Sequence, residues 1–432
     1  MKFNNICVIG LGYIGLPTAC FFAKSGVQVL GVDNNHEILG SLSAGKVHIH
    51  EPGLDTLVEE VIRNGSMAVS DTPVISDAFI IAVPTPFYDG KKADLRAVKS
   101  AAEAIVPFIK PGNLVVLEST SPPRTTIDIV APILEKSGLK AGEDFYLAYS
   151  PERVLPGKIM KELVENDRVI GGINQESAQA GFDLYSLFVK GEILLSDSTT
   201  AEMVKLMENT YRDVNIAIAN EFARLSERFG VNAWEAISLA NRHPRVNILN
   251  PGPGVGGHCI SVDPWFLVEK APDLTKLILA AREVNDTQPE YVLHLINKSL
   301  NGSVSEKISV LGLSYKPDID DLRESPAIEI ANLLADQGFD LTAYEPYKSN
   351  GKFPKFKSAH SLQETIQGSS IIVLLVGHNE FKTITPEYIL AHSNVKMILD
   401  TVGIWSKYDW ESYGIQYVLL GDGSRYKNGN QS

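Results

Sequence analysis

Cysteine is scarce in this chain: Cys7, Cys20 and Cys259 are the three present among 432 residues. That is too few for a disulfide framework and fits a reducing compartment. Long apolar runs are missing as well. Stretches such as Ile371 to Val376 fall far short of the ~20 residues that span a bilayer. Positive charge is in deficit, with 39 Lys and Arg against 52 Asp and Glu and a formal net charge of -13. With no basic cluster to offset it, nucleic-acid binding is not expected. An anionic small molecule is not excluded, because one pocket can be positive on an acidic protein. The nine histidines show no ligand spacing, so no metal site is expected. The first residues, Met-Lys-Phe-Asn-Asn, lead straight into a strand and leave no room for a signal peptide. A cytoplasmic location is expected.

The composition is that of a globular protein, 44% hydrophobic and 21% charged, over a length that calls for two or three domains. Near the N-terminus, Ile6 to Ile9 is a short β-branched run ending in Gly10-Leu-Gly12-Tyr13-Ile14-Gly15. A helical pattern follows from about Leu16 to Ser25, stopped by Gly26. Val27 to Val32 then reads as a second strand with Asp33 at its end. Strand, GxGxxG, helix, strand and acid together form a dinucleotide fingerprint, whereas the glycines alone would say little. Gly10 is expected to make the tight turn, Gly12 to let amides reach a pyrophosphate, and Gly15 to allow close helix–strand packing. The helix N-terminus offers its N–H groups and positive dipole end to the phosphates. Asp33 is placed to accept from the adenosine ribose hydroxyls. No arginine follows it to hold a 2'-phosphate, so NAD is favoured over NADP.

Ala78 to Val83 and Leu114 to Leu117 read as buried strands, followed by Thr85 and by Glu118-Ser119-Thr120. Ligands in doubly wound sheets lie beyond the carboxyl ends of strands. Thr85 and Thr120 are therefore candidate cofactor contacts, with helix caps the competing reading. Tyr146 to Tyr149 looks like one more strand, leading into the polar loop Ser150-Pro-Glu152-Arg153-Val154.

From Ser198 to about Gly230 no proline intervenes, and Met203, Leu206, Met207 and Val214 recur at helical spacing, so one long helix is expected. Lys205, Asn209 and Arg212 share a face of it, either as a solvated stripe or as a site. Further helices are expected over Ala233 to Asn241 and roughly Leu274 to Asn285. Between them stands Asn250-Pro-Gly-Pro-Gly-Val-Gly256-Gly-His258-Cys259-Ile-Ser-Val-Asp263. Glycines let backbone approach a ligand closely, and a thiolate is a strong nucleophile toward carbonyl carbon. Oxidising an alcohol only to an aldehyde needs no thiol. Continuing to the acid does, because a second hydride leaves only after something has added to the carbonyl. An inert buried thiol is the alternative for Cys259, and it is the expected state of Cys7 and Cys20. His258 is given no base role, since neighbours on a loop often point apart.

The last third repeats the first. Ile308-Ser-Val-Leu-Gly312-Leu-Ser314-Tyr315-Lys316 parallels Ile6 to Ile14, and a strand ending in Glu345 parallels the one ending in Asp33. The fold class expected is α/β, with two Rossmann-like doubly wound domains joined by a long central helix and a helical middle. The boundaries read as 1–197, 198–300 and 301–432. Ser314 and Pro317 stand where the second and third glycines would be, so a phosphate cradle helped by Lys316 is expected rather than a second NAD site. The loops after Asn350 and the tail from Gly421 read as solvated surface.

From the Gly10 fingerprint to Gly403-Ile-Trp405 the chain resembles the nucleotide-sugar 6-dehydrogenases, which include UDP-glucose and GDP-mannose dehydrogenases. Distinctive motifs are Pro151-Glu-Arg-Val-Leu-Pro-Gly157, Asn166-Asp-Arg-Val-Ile-Gly-Gly172 and Asn241-Arg-His243-Pro-Arg245-Val-Asn-Ile-Leu249 before the glycine run. The resemblance implies a four-electron oxidation of carbon 6 of a UDP-sugar by two NAD in turn, through a Cys259 thiohemiacetal and thioester. UDP-N-acetyl-D-mannosamine is the implied substrate, with UDP-N-acetylglucosamine or UDP-glucose as alternatives. It further implies Lys205 and Asn209 as base and oxyanion donors, Asp263 ordering the water, and Glu152 assisting hydrolysis. Arg153, Val154, Lys205, Asn209, Arg212, His243, Arg245, Gly256, Tyr315 and Lys316 would hold the nucleotide sugar. Arg323 would reach a cofactor phosphate alongside Gly10, Gly12, Tyr13, Ile14, Gly15, Asp33, Thr85 and Thr120. A homodimer or higher homo-oligomer through the long helix is implied as well. The rivals are a two-electron NAD dehydrogenase of the 6-phosphogluconate type, which needs neither thiol nor second nucleotide fold, and a non-catalytic NAD sensor. Two, one or no NADH per sugar separates the three.

Overall fold

In the computed structural model, residues 1–88, 90–257, 259–300, 306–348 and 351–423 are described. His258, Asn350 and the tail after residue 423 lie outside them. The chain folds into two compact units, one of Met1–Asn209 with Trp265–Leu274, the other of Thr210–Pro264 with Thr275–Ser432.

The first unit is built on an eight-stranded sheet. Across it run Ile193–Asp197, Arg168–Gly172, Tyr146–Tyr149, Leu114–Leu117, Ala78–Ile81, Asn5–Ile9, Gln28–Val32 and Met67–Ser70. All neighbours are parallel except Tyr146–Tyr149 against Arg168–Gly172. Six of these strands follow the Rossmann winding, with the order reversing beside Asn5–Ile9. Ala78–Ile81 and Leu114–Leu117 are buried at every residue, as strands covered by helices on both faces must be. Cys7 and Cys20 are fully buried in this core, and burial pushes both thiols up to about 12.

The second unit repeats the winding in six parallel strands: Lys357–Ser358, Asp340–Tyr344, Lys307–Leu311, Ile371–Leu374, Met397–Asp400 and Gln416–Leu419. The long helix spans Ser198–Phe229, 32 residues, and Ala233–Ala240, Lys276–Asp286 and Gln288–Ser299 are helical too. Two readings of solvated surface need correction. Phe356, after Asn350, is buried and stacks on Phe353 at 4.7 Å. Gly421 is also buried: its N–H donates to Glu227 at 3.0 Å and its carbonyl accepts from Ala233 at 2.7 Å. Both packings are made by segments distant in the chain, which local polarity does not report. Among the described residues no helix is long and apolar enough to cross a membrane.

Candidate active site

The cofactor fingerprint lies in the first unit. Gly10 sits at φ 95°, and a side chain there would meet the Ala82 carbonyl oxygen at 2.5 Å. At Gly15 a Cβ would lie 1.9 Å from the Gly10 carbonyl oxygen, so only glycine lets the helix begin this close to the strand. Gly12 is different, with nothing within 4 Å of where its Cβ would be. The chain's own packing does not require glycine there, and the space suits an approaching pyrophosphate. Helix Gly15–Lys24 has no side-chain cap, so no side chain competes with a ligand at its N-terminus. Tyr13 and Ile14 flank the turn half-buried. Asp33 accepts from the Leu11 and Asn35 N–H groups, each at 2.9 Å. These bonds fix the carboxylate while leaving lone pairs for ribose hydroxyls. These residues fit NAD.

Thr85 donates its hydroxyl to the Thr120 carbonyl at 2.6 Å. Neither is a helix cap, since the nearby helices begin after Leu95 and Thr125. Ser119, which sequence reading passed over, bonds both the N–H and the carbonyl of Val83, at 2.9 and 2.7 Å. It staples two strand ends beside those threonines.

The loop after Tyr146–Tyr149 carries Glu152, Arg153 and Val154. Glu152 pairs with Arg168, whose guanidinium also meets Glu118 at 3.1 Å and Ser150 at 2.8 Å. Arg153 turns to Glu208 at 2.6 Å and to the Asp167 carbonyl at 3.0 Å. Val154 packs against the N-terminal core. Glu51 ties the far end of the loop, accepting from the Gly157 and Ile159 N–H groups at 2.8 Å each. Lys205 and Asn209 are only 8% and 7% exposed, so they are not a solvated stripe. Arg212, the third member of that face, is exposed and belongs to the second unit.

In the second unit Cys259 is exposed. Its carbonyl accepts from the Val262 and Asp263 N–H groups at 3.1 and 2.8 Å, making a turn into helix Asp263–Lys270. Asp263 is therefore a buried residue of a helix's first turn, in a helix the sequence reading did not include. The helix is only two turns long, too short for periodicity to reveal it. Gly252 anchors the glycine run, donating to Asn220 at 2.9 Å and accepting from Gln288 at 3.0 Å. At Gly256 a Cβ would lie 2.4 Å from the Glu324 carbonyl oxygen and 2.7 Å from Tyr315 Cβ. Tyr315 thus packs directly on the glycine run.

Lys316 is half-buried, and its carbonyl accepts from Ser314 at 2.8 Å. Arg323 is exposed and forks onto Asp321 at 2.8 and 2.6 Å. His243 and Arg245 are both exposed. Glu345 accepts from Leu313 and Ser314 N–H at 2.7 and 2.8 Å and from Tyr347 N–H at 3.2 Å, with His378 against it. Burial would raise its carboxyl, but His378 and these backbone donors outweigh burial and hold it below its ordinary value. Where Asp33 has capacity left for a ribose, Glu345 is consumed by its own fold.

The residue pattern of the UDP-glucose/GDP-mannose dehydrogenase family matches in three pieces: its NAD binding domain over residues 4–189, its central domain over 199–287 and its UDP binding domain over 309–407. The chain belongs to this family. It is an NAD-dependent nucleotide-sugar dehydrogenase. Within the family it is similar to UDP-N-acetyl-D-mannosamine dehydrogenase of Methanococcus maripaludis, 50% identical over 98% of both chains. An NDP-N-acetyl-D-galactosaminuronic acid dehydrogenase of Ralstonia nicotianae is 46% identical, over 94% of this chain and 97% of its own. The solved UDP-D-ManNAc dehydrogenase of Pyrococcus horikoshii superposes with a TM-score of 0.90 at 42% identity, covering 97% of this chain and all of the other.

Proposed function

We propose that this enzyme oxidises carbon 6 of UDP-N-acetyl-D-mannosamine from alcohol to acid, giving UDP-N-acetyl-D-mannosaminuronate, through a covalent thioester on Cys259. One observation carries the covalent part: of three cysteines, two are sealed in the core and Cys259 is exposed, on a glycine loop just before a helix N-terminus. A helix N-terminus favours the thiolate. The sugar rests on the relatives named for it, and UDP-N-acetylglucosamine or UDP-glucose is the alternative.

When bound, NAD supplies the hydride acceptor, one molecule for each two-electron step. Lys205 takes the hydroxyl proton as the first hydride leaves, giving the aldehyde. Cys259 sulfur adds to the aldehyde carbon. Lys205 and the Asn209 amide donate to the developing oxyanion, a contact worth roughly 3 kcal/mol of barrier. After the second hydride leaves, Asp263 orders a water and Glu152 assists its attack on the thioester. Arg153, Val154, Arg212, His243, Arg245, Gly256, Tyr315 and Lys316 hold the nucleotide sugar, and Arg323 reaches a cofactor phosphate. The functional modules are 1–197, 198–300 and 301–432, and the enzyme works in the cytoplasm.

A second copy of the chain is proposed to pack along the long helix. Tyr211, Ile218, Phe222, Leu225 and Phe229 fall at coiled-coil-like spacing and are 40–67% exposed. That stripe is what a homodimer would cover.

The test is stoichiometry across a panel of UDP-sugars. Two NADH per sugar, fastest with UDP-N-acetyl-D-mannosamine, supports the reading. Cys259→Ser should stop acid formation while NAD still binds. Full acid production by that variant would remove the covalent mechanism, and a faster rate on another sugar would replace the substrate.

A further inference from the structure

Three carboxylate and guanidinium side chains meet in the interior of the first unit. Arg168, on strand Arg168–Gly172, is 4% exposed at its side chain, Glu118 0% and Glu152 10%. One guanidinium serves both acids, with Nη1 on Glu118 at 3.1 Å and Nη2 on Glu152. Tyr185, on helix Gln175–Tyr185, closes the cluster. Its hydroxyl donates to Glu118 at 3.1 Å, and its ring lies under the guanidinium with 4.1 Å from Cζ to the centroid. Ser150 accepts from Nη1 at 2.8 Å. The second oxygen of Glu118 is buried with no partner among the described residues.

Two acids on one buried cation carry a net negative charge if both ionise, which a low-dielectric interior resists. Glu118 is the one disfavoured. Burial raises its carboxyl, Arg168 pulls it back and Glu152 adds repulsion, and together they leave it at about 7. Glu152 is the acid closer to solvent and on the functional loop. The cluster is more than a structural ion pair because the guanidinium divides its work: Nη1 is taken by Glu118 and Ser150, and Nη2 is left to orient the one carboxylate of the loop.

We propose that Arg168, backed by Glu118, is the positioning group that holds Glu152 in one orientation for hydrolysis of the thioester. The inference rests on the reading of Glu152 given above. In that step a water oxygen bonds to the thioester carbon and its proton passes to a Glu152 oxygen. The carbon–sulfur bond breaks, and the electron pair leaves on Cys259 sulfur. Arg168 forms and breaks no bond; it aims the accepting oxygen.

The groups facing Glu118 set the pH behaviour. They are Arg168 on its strand, Tyr185 on its helix and Glu152 on the loop, with the Ser150 hydroxyl on the same guanidinium nitrogen, while Arg153 is turned to Glu208. Glu118→Gln keeps the bonds to Arg168 and Tyr185 and cannot ionise, so the competing charge that Glu118 gains as pH rises through about 7 never forms. The alkaline limb of the hydrolysis rate should therefore move to higher pH, by about one unit. Arg168→Lys keeps a charge but cannot fork onto two acids. Its hydrolysis should slow by about tenfold or more, with NADH released in a burst before a slow steady state.

Rapid-mixing measurement of NADH on the full-length enzyme, with intact-mass detection of the acyl-enzyme, reads both effects. Should Arg168→Lys not fold, Glu118→Gln decides alone through its pH limb. An unmoved limb in a folded Glu118→Gln, or a wild-type burst and steady state in a folded Arg168→Lys, overturns the inference. Glu152→Gln separates the two levels. If it hydrolyses at the wild-type rate, the role of Glu152 falls and this inference with it. If it is slow while the other two variants behave as wild type, only the inference falls.

Discussion

Asn220→Leu isolates how the glycine run is held in the second unit. Asn220 is fully buried; its amide oxygen accepts from Gly252 N–H at 2.9 Å and its NH2 donates to Asn285 at 3.0 Å. Asn285 donates onward to Asp213 at 2.8 Å, and the same carboxylate forms a buried pair with Arg282 at 2.5 Å. Leucine has similar volume but neither donor nor acceptor. Two buried polar groups lose a partner, each costing about 1–3 kcal/mol, so about 2–6 kcal/mol together. Gly252 keeps its bond from Gln288 at 3.0 Å, so the run loosens rather than detaches. If about 2 kcal/mol falls on the ordered state of the Cys259 loop, correct placement of the sulfur becomes roughly thirty-fold rarer. The expected result is a kcat lower by about tenfold or more, a reduced melting temperature and unchanged affinity for NAD. Steady-state kinetics, scanning calorimetry and NAD titration read the three. A lowered melting temperature with wild-type kcat would refute the reasoning, because the anchor would then serve stability alone.

Other expectations are as specific. A carboxyl raised from 4.5 to about 7 by burial keeps its proton in the folded state, so its contribution to stability falls as pH rises through that window. Glu118→Gln should therefore melt near wild type at about pH 5 and above it at about pH 8; equal melting at both would contradict this. Asp33→Ala should weaken NAD by about tenfold, from roughly 1–3 kcal/mol of lost hydrogen bonding, and leave UDP-sugar binding alone; calorimetric titration decides. Ile218→Glu with Phe222→Glu should convert dimer to monomer in sedimentation velocity. An unchanged sedimentation coefficient in a dimeric wild type would place the interface elsewhere.

Much of the fold could be read directly. Leu114–Leu117 and Tyr146–Tyr149 stand where their apolar runs place them, and the long helix ends within a residue of its expected stop. The fingerprint glycines behave individually as the turn requires, with Gly15 packed on Gly10 and Gly12 left open. The motif Asn166-Asp-Arg168 was visible without a role, because its partner Glu118 is 50 positions away and looks like any acid after a strand. Asn220 carried no signal either, being one polar residue in a long helix.

Sequence alone determined the local units: which runs become strands, where the chain turns for a dinucleotide, which thiol is set among glycines. These follow from periodicity and turn chemistry, forces acting between residues close along the chain. Only the tertiary structure decided which polar groups are buried and what they meet. Asn220 reaches Asn285 across 65 positions and Gly252 across 32. The Glu118 carboxyl becomes a proton holder only because the folded sheet removes its water and sets Glu152 beside it, against the pull of Arg168. Desolvation and pairing are properties of place, and place exists only once distant segments have packed.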